Sequence, residues 1–292
     1  MFDQSASAPP STLAATSSED HSTRTKRRTS RNAPQDPIDR IVKILRSFGP
    51  RHRMDQVFSD LIECAALTIS NRADASQFEQ REARYLEVIK PYRAEEVHSF
   101  SEMLANLMLA FVDLHKLGEF ADVLGSLYMR LELGNDRVGQ FFTPYNVSRM
   151  MGQMQVGDGT DIRAREFVTV LDPACGAGGM IIAFADAAKS AGLDYRLCMH
   201  ATCVDIDVRC VHMTYVQLSL LDIPAVVIHG NSLIDERRSV WLTPAHVAGR
   251  WSNKLLARGA GTESAEPSRP DRPKASTSRF KERLRNFLRV RV

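Results

Sequence analysis

The stretch Val170–Met180, VLDPACGAGGM, sets an acid and three glycines between two apolar runs. It belongs to an alternation that narrows the possible folds more than any other feature of the chain. Glu166–Leu171 (EFVTVL) is short, β-branched and bounded by turn residues, so it reads as a buried strand. GMIIAFADAAKSAG reads as a helix ended by Gly192, and Cys198–Val204 as a second strand. RCVHMTYVQLSLL reads as a second helix stopped near Pro224, and Ala225–Gly230 as a third strand. Strand, helix, strand, helix, strand is the grammar of a parallel sheet with right-handed crossovers. The expected class is α/β, with roughly half of a doubly wound, Rossmann-like sheet.

Around this unit the texture differs. Residues 1–36 are rich in Ser, Thr, Ala and Pro and carry the basic cluster Arg24–Arg31, which predicts a disordered basic tail. Residues 37–134 read as a helical domain: Val57, Leu61, Cys64 and Ala65 keep a helical spacing, Met103, Leu107, Leu109 and Phe111 thicken a later stripe, and Pro91 marks a break. Residues 135–251 hold the α/β unit, in which SLIDERRSVWLTPAHVAGRW reads as one or two short helices. Residues 252–292 read as a basic linker, to Ser278, and an amphipathic helix with Phe280, Leu284, Phe287 and Leu288 on one side. From Ser252 onward there are 11 Lys and Arg against 4 Asp and Glu, so a mildly acidic body wears basic ends. Such ends suit a phosphate backbone, or serve solubility alone.

The glycine turn defines a ligand class. Asp172 stands at the carboxyl end of a parallel strand, where open α/β sheets bind ligands, and Gly176, Gly178 and Gly179 allow close backbone approach. A carboxylate there repels a pyrophosphate and attracts an ammonium or sulfonium group; a purely structural turn is the competing reading. Asp205 ends the second strand, 27 residues after Gly178, and suits a pair of ribose hydroxyls, although an acid here, such as Asp207, can instead cap the next helix. Asn231 and Ser232 follow the third strand, level with the other tips, and an Asn side chain can bond an adenine edge. Upstream, in GQFFTPYNVSRMM, Thr143 is a fair N-cap and Pro144 a fair first helical residue, ahead of an apolar stripe of Val147, Met150, Met151 and Met154.

GQFFTP followed about 30 residues later by DPACGAGG resembles the adenine-N6 DNA methyltransferase family, of the kind found as methylation subunits of type I restriction–modification systems. DVLGSLYMRLELGNDRVGQFFTP is similar to that family's junction between a helical domain and the catalytic domain, and the likeness spans Asp122 to Leu233. The resemblance implies S-adenosylmethionine as cofactor and makes 135–251 an incomplete methyltransferase-like domain. Asp172, Gly176, Gly178, Phe141, Thr143 and Pro144 would face the methionine part, Asp205 the ribose, and Asn231 the adenine. It also implies DNA as substrate and a restriction–modification partner.

The family receives a flipped-out adenine on a tetrapeptide of Asn or Asp, Pro-Pro, and Tyr or Phe. Its carbonyl oxygens accept the protons of a poorly nucleophilic amine while the ring stacks on the base. Here the only Pro-Pro is Pro9-Pro10, inside SAPPST, so no catalytic residue is assigned. Trp241 and Trp251 can stack on bases or pack in a core. Two readings stay open: a divergent adenine methyltransferase, or a non-catalytic S-adenosylmethionine- or DNA-binding module or remnant acting with a partner. Five cysteines without a C-x-x-C pair, no apolar leader and no long apolar run predict a cytoplasmic protein with no membrane span and no metal.

Overall fold

The alternation folds as its spacing dictates. β1 (Val168–Asp172), β2 (Met199–Asp205) and β3 (Ala225–Asn231) lie side by side in parallel, and β4 (Glu236–Leu242) closes the order β1-β2-β3-β4 by running antiparallel to β3. The computed structural model describes residues 36–133 and 142–263, all within one unit, Gln35–Val292. The basic cluster Arg24–Arg31, Phe141 and the amphipathic stretch from Phe280 lie outside the described residues.

Among the described residues, five α-helices precede the α/β unit: α1 (Pro37–Ser47), α2 (Met54–Ala73), α3 (Phe78–Ile89), α4 (Ala94–Leu117) and α5 (Val123–Arg130). Asp36 caps α1 by accepting from the Ile38 amide at 2.7 Å, with Pro37 at the first position. Val57, Leu61, Cys64 and Ala65 are all buried on α2, as their spacing predicts, and Pro91 falls in the break between α3 and α4. On α4, Met103, Leu107 and Phe111 are buried, whereas Leu109 faces solvent. Buried Arg81 of α3 donates to the Val240 carbonyl at 3.1 Å and lies over the Trp241 ring at 4.6 Å, joining these helices to β4.

Then come α6 (Tyr145–Val156), the short α7 (Thr160–Arg163), α8 (Gly179–Ser190), the short α9 (Tyr195–Cys198) and α10 (Val208–Leu220). Gly192, at φ +75°, follows the end of α8 as expected. The stripe Val147, Met150, Met151 and Met154 gives the opposite result to a core face: it is exposed, and Ser148, Gly152 and Val156 are the buried side of α6. The reason is close approach. A Cβ on Gly152 would sit 2.6 Å from the Ala183 carbonyl oxygen, so α6 rests on α8 through its small residues.

Met199, Ala201, Cys203, Ala225, Val227 and Trp241 belong to the main core with α2 and α10. On the alternate face, His200 meets His246 of α11 (Pro244–Ala248) and Trp251 of α12 (Trp251–Glu263). Two expectations fail at this end. β4 is a strand where short helices were expected, because ERRSVWL alternates Trp241 into the core while Arg238 stays in water. α12 occupies the start of the expected linker, because Trp251 is fully buried and Arg258 donates to the Phe167 carbonyl at 2.8 Å. Both tryptophans are buried, so neither stands ready to stack on a base. Among the described residues, no helix is long and apolar enough to cross a membrane.

Candidate cofactor site

The register brings the strand tips together. Asp172 pairs with Cys203, two residues short of Asp205, and Asp205 pairs with His229, two residues short of Asn231. Asp172, Asp205 and Asn231 therefore step across the carboxyl edge of three adjacent strands, the edge at which open α/β sheets bind ligands.

The glycine turn spans β1 and α8. Gly176 and Gly178 hold φ +55° and +89°, values that residues with a Cβ rarely adopt. The turn is tied down from every side. The Gly176 amide donates to Asp205 Oδ2 at 2.8 Å, and the Cys175 amide donates to the Val204 carbonyl at 2.9 Å. Thr214 Oγ1 donates to the Gly176 carbonyl at 2.8 Å, and Ser232 Oγ donates to the Pro173 carbonyl at 2.9 Å. Gln217 Nε2 donates to the Ala177 carbonyl at 2.7 Å. Five contacts, from β2, α10 and the turn after β3, fix one short loop, the preorganisation a binding site needs.

The two carboxylates carry a distinct electrostatic signature. Burial pushes the Asp172 carboxyl above the ordinary range, while the Ala174 amide pulls the other way and the Asp205 charge adds to the rise. Burial also raises Asp205, against hydrogen bonds from the Asp207 and Gly176 amides. Among the described residues no Lys or Arg bonds either group. Two half-buried acids thus stand at adjacent strand tips with, among the described residues, backbone amides as their hydrogen-bond partners, an arrangement that a cation relieves. The Cys175 thiol, beneath the turn, is raised by its contact with Cys203 and by burial, which keeps it protonated and inert.

The remaining expected residues are less uniform. Asp207 caps α10 by accepting from the Arg209 amide at 2.9 Å, which leaves Asp205 to the turn. Asn231 Oδ1 accepts from the Leu233 amide at 3.0 Å and so shapes the bend into β4. Thr143 and Pro144 are exposed, and Pro144, with ψ 136°, is the N-cap of α6 in the place expected for Thr143. Phe141 lies outside the described residues. Its neighbour Phe142 is the aromatic set on the turn: a Cβ on Gly176 would be 3.0 Å from its ring, which packs on Tyr128 with centroids 5.2 Å apart. GQFFTP carried that signal, but the two phenylalanines could not be told apart by sequence. Ile206, Val208, Leu233 and Ile234 leave a rim of exposed apolar surface beside Asp205 and Asn231.

The N-6 DNA Methylase family model matches residues 120–248. The matched segment begins just before α5 and takes in Phe142, the glycine turn and all three strand tips, so the resemblance carried by GQFFTP and DPACGAGG holds there. Two solved structures show a distant likeness. One is the type I restriction–modification system methyltransferase subunit from Streptococcus thermophilus, 12% identical, covering 64% of this chain with a TM-score of 0.30; this chain spans 55% of that subunit's length. The other, from Listeria monocytogenes and described as a class I S-adenosylmethionine-dependent methyltransferase, is 12% identical over 87% of this chain and 80% of its own, with a TM-score of 0.32. No curated protein matches the chain.

Proposed function

We propose that the chain binds S-adenosylmethionine at the carboxyl ends of β1, β2 and β3 and serves adenine-N6 methylation of DNA. The observation that carries this reading is the pair of desolvated carboxylates, Asp172 and Asp205, with no cation among the described residues bonded to them, beside a glycine turn of positive φ. A ligand with an α-ammonium and a sulfonium suits that field, whereas a phosphate does not. When bound, S-adenosylmethionine supplies an activated methyl group on sulfur.

The chain's own residues divide the work. Asp172 and the backbone around Gly176 and Gly178 hold the methionine part, with Phe142, Thr143 and Pro144 alongside. Each Asp205 oxygen already accepts one amide and keeps a second lone pair for a ribose hydroxyl. Asn231 would take the adenine edge, and exposed Ile206 and Leu233 would offer apolar surface to its ring. The basic stretches Arg24–Arg31 and 264–292 supply attraction to phosphate backbones, and a restriction–modification partner completes the assembly.

Titration calorimetry with S-adenosylmethionine tests the site. The expected result is measurable binding that weakens at least roughly tenfold in Asp205→Ala, the cost of about one charge-assisted hydrogen bond. No binding by the unaltered chain overturns the assignment. The missing Pro-Pro tetrapeptide favours a second reading, in which the chain binds the cofactor without transferring its methyl group. Incorporation of labelled methyl into mixed DNA above a Gly176→Arg control decides for the enzyme.

A further inference from the structure

One fully buried amide on α10 bonds three residues at two places, the glycine turn and the start of α5. Gln217 Nε2 donates to the Ala177 carbonyl in the glycine turn and to Asp122 Oδ1, both at 2.7 Å. Its Oε1 accepts from the Leu124 amide in the first turn of α5 at 3.0 Å. Asp122 is the N-cap of α5, and the same Oδ1 accepts from the Gly125 amide at 2.8 Å. A side chain at Gly125 or at Gly179, the first residue of α8, would run into the Asp122 carboxylate. The carboxylate is wedged between the starts of two helices, and burial raises its pKa against the bonds from Gln217 and Gly125. With both protons and its oxygen engaged, the amide has one orientation and cannot release one partner without disturbing the others.

We infer that Asp122 and Gln217 are positioning residues that couple the glycine turn to the docking of α5, so that occupying the turn tightens α5 and loosening α5 weakens the turn. The inference rests on the cofactor reading for the identity of the ligand, while the coupling itself rests on the hydrogen bonds of Gln217 and Asp122. Thr214 supplies the contrast: it also bonds the turn, at the Gly176 carbonyl, and among the described residues no hydrogen bond joins it to α5. Reciprocity of linked equilibria requires the effect to run both ways.

Amide hydrogen exchange on the full chain, read by mass spectrometry, tests this. In Gln217→Leu the amides of 174–179 and those of Leu124 and Gly125 should exchange roughly tenfold faster together, the scale of one lost buried bond. Thr214→Val should speed the turn alone, and Asp122→Asn, which keeps an acceptor for Gln217 and Gly125, should restore near-normal exchange at both. S-adenosylmethionine should slow Leu124 and Gly125 in the unaltered chain and lose that effect in Gln217→Leu. If Gln217→Leu does not fold, the comparison of Thr214→Val, Asp122→Asn and ligand protection carries the decision. Exchange at α5 that ignores Gln217, or that follows Thr214→Val equally, overturns the coupling. A chain that binds no S-adenosylmethionine overturns the cofactor reading and leaves the coupling to the variant data.

Discussion

Acidification should strip α11 and α12 from the sheet before it affects the rest of the fold. His200 Nε2 and His246 Nδ1 lie 2.8 Å apart, His246 Nε2 lies 2.9 Å from Ser252 Oγ, and Trp251 covers His200 with ring centroids 5.2 Å apart. Burial, with the neighbouring His246 adding to it, pushes His200 down to about 3; burial alone pushes His246 down to about 4. Both rings are neutral in the fold and must share a single proton between them at their contact. The unfolded chain titrates near 6.5 and takes up protons first as pH falls. Stability is therefore intact above 6.5 and lost as pH falls from there towards the folded values. Between pH 7 and pH 5 each ring costs about 2 kcal/mol, so the pair costs about 4 kcal/mol. His212, also lowered by burial to about 4, adds about 2 kcal/mol at a separate place. The raised carboxyls of Asp172, Asp205 and Asp122 work in the opposite sense, because the fold takes up their protons before the unfolded chain does. Urea unfolding at pH 7, 6 and 5 measures the sum. A His200→Gln, His246→Gln double variant should lose about 4 kcal/mol less than the unaltered chain across that range. An unchanged pH dependence in the double variant refutes the reasoning.

Gly178→Ala should cost about 1–2 kcal/mol, since φ is +89° and the new methyl would lie 3.2 Å from Thr214; thermal denaturation reads it. Trp251→Ala should cost about 3–5 kcal/mol and free the Phe167 ring it meets edge-on, which near-ultraviolet circular dichroism detects. Met150→Asp and Met154→Asp should each move stability by about 0.5 kcal/mol or less in urea titrations, because both side chains stand in solvent.

Those two methionines mark where sequence reasoning reaches its limit. Helical periodicity locates an apolar stripe but cannot say which side of the helix a neighbour takes. Ser148 and Gly152 won on α6 because small residues admit the α8 backbone, an advantage no hydropathy scale records. β1 and β3 were legible as β-branched runs closed by turn residues, and β2, with only Thr202 and Val204 of that kind, from its place between two helices. β4 was not, because an antiparallel edge strand with three charges in seven residues looks like any solvated segment. The strand-end places of Asp172 and Asp205 and the glycine turn between β1 and α8 were legible from the alternation of apolar runs and turn residues. Thr214 and Gln217 were not, since their partners in the turn lie 38 and 40 residues away and no local pattern announces such a bond.

β1 ends the sheet: it pairs with β2 on one side, and among the described residues no strand pairs its other side. A row of outward amides and carbonyls is a template on which another copy's strand can grow, and Val168–Leu171 holds no proline or charge to discourage it. The strand's single ionisable residue is Asp172, at its tip. The carboxylate proposed to meet a cationic ligand is thus also the one charge that guards this edge against a second copy.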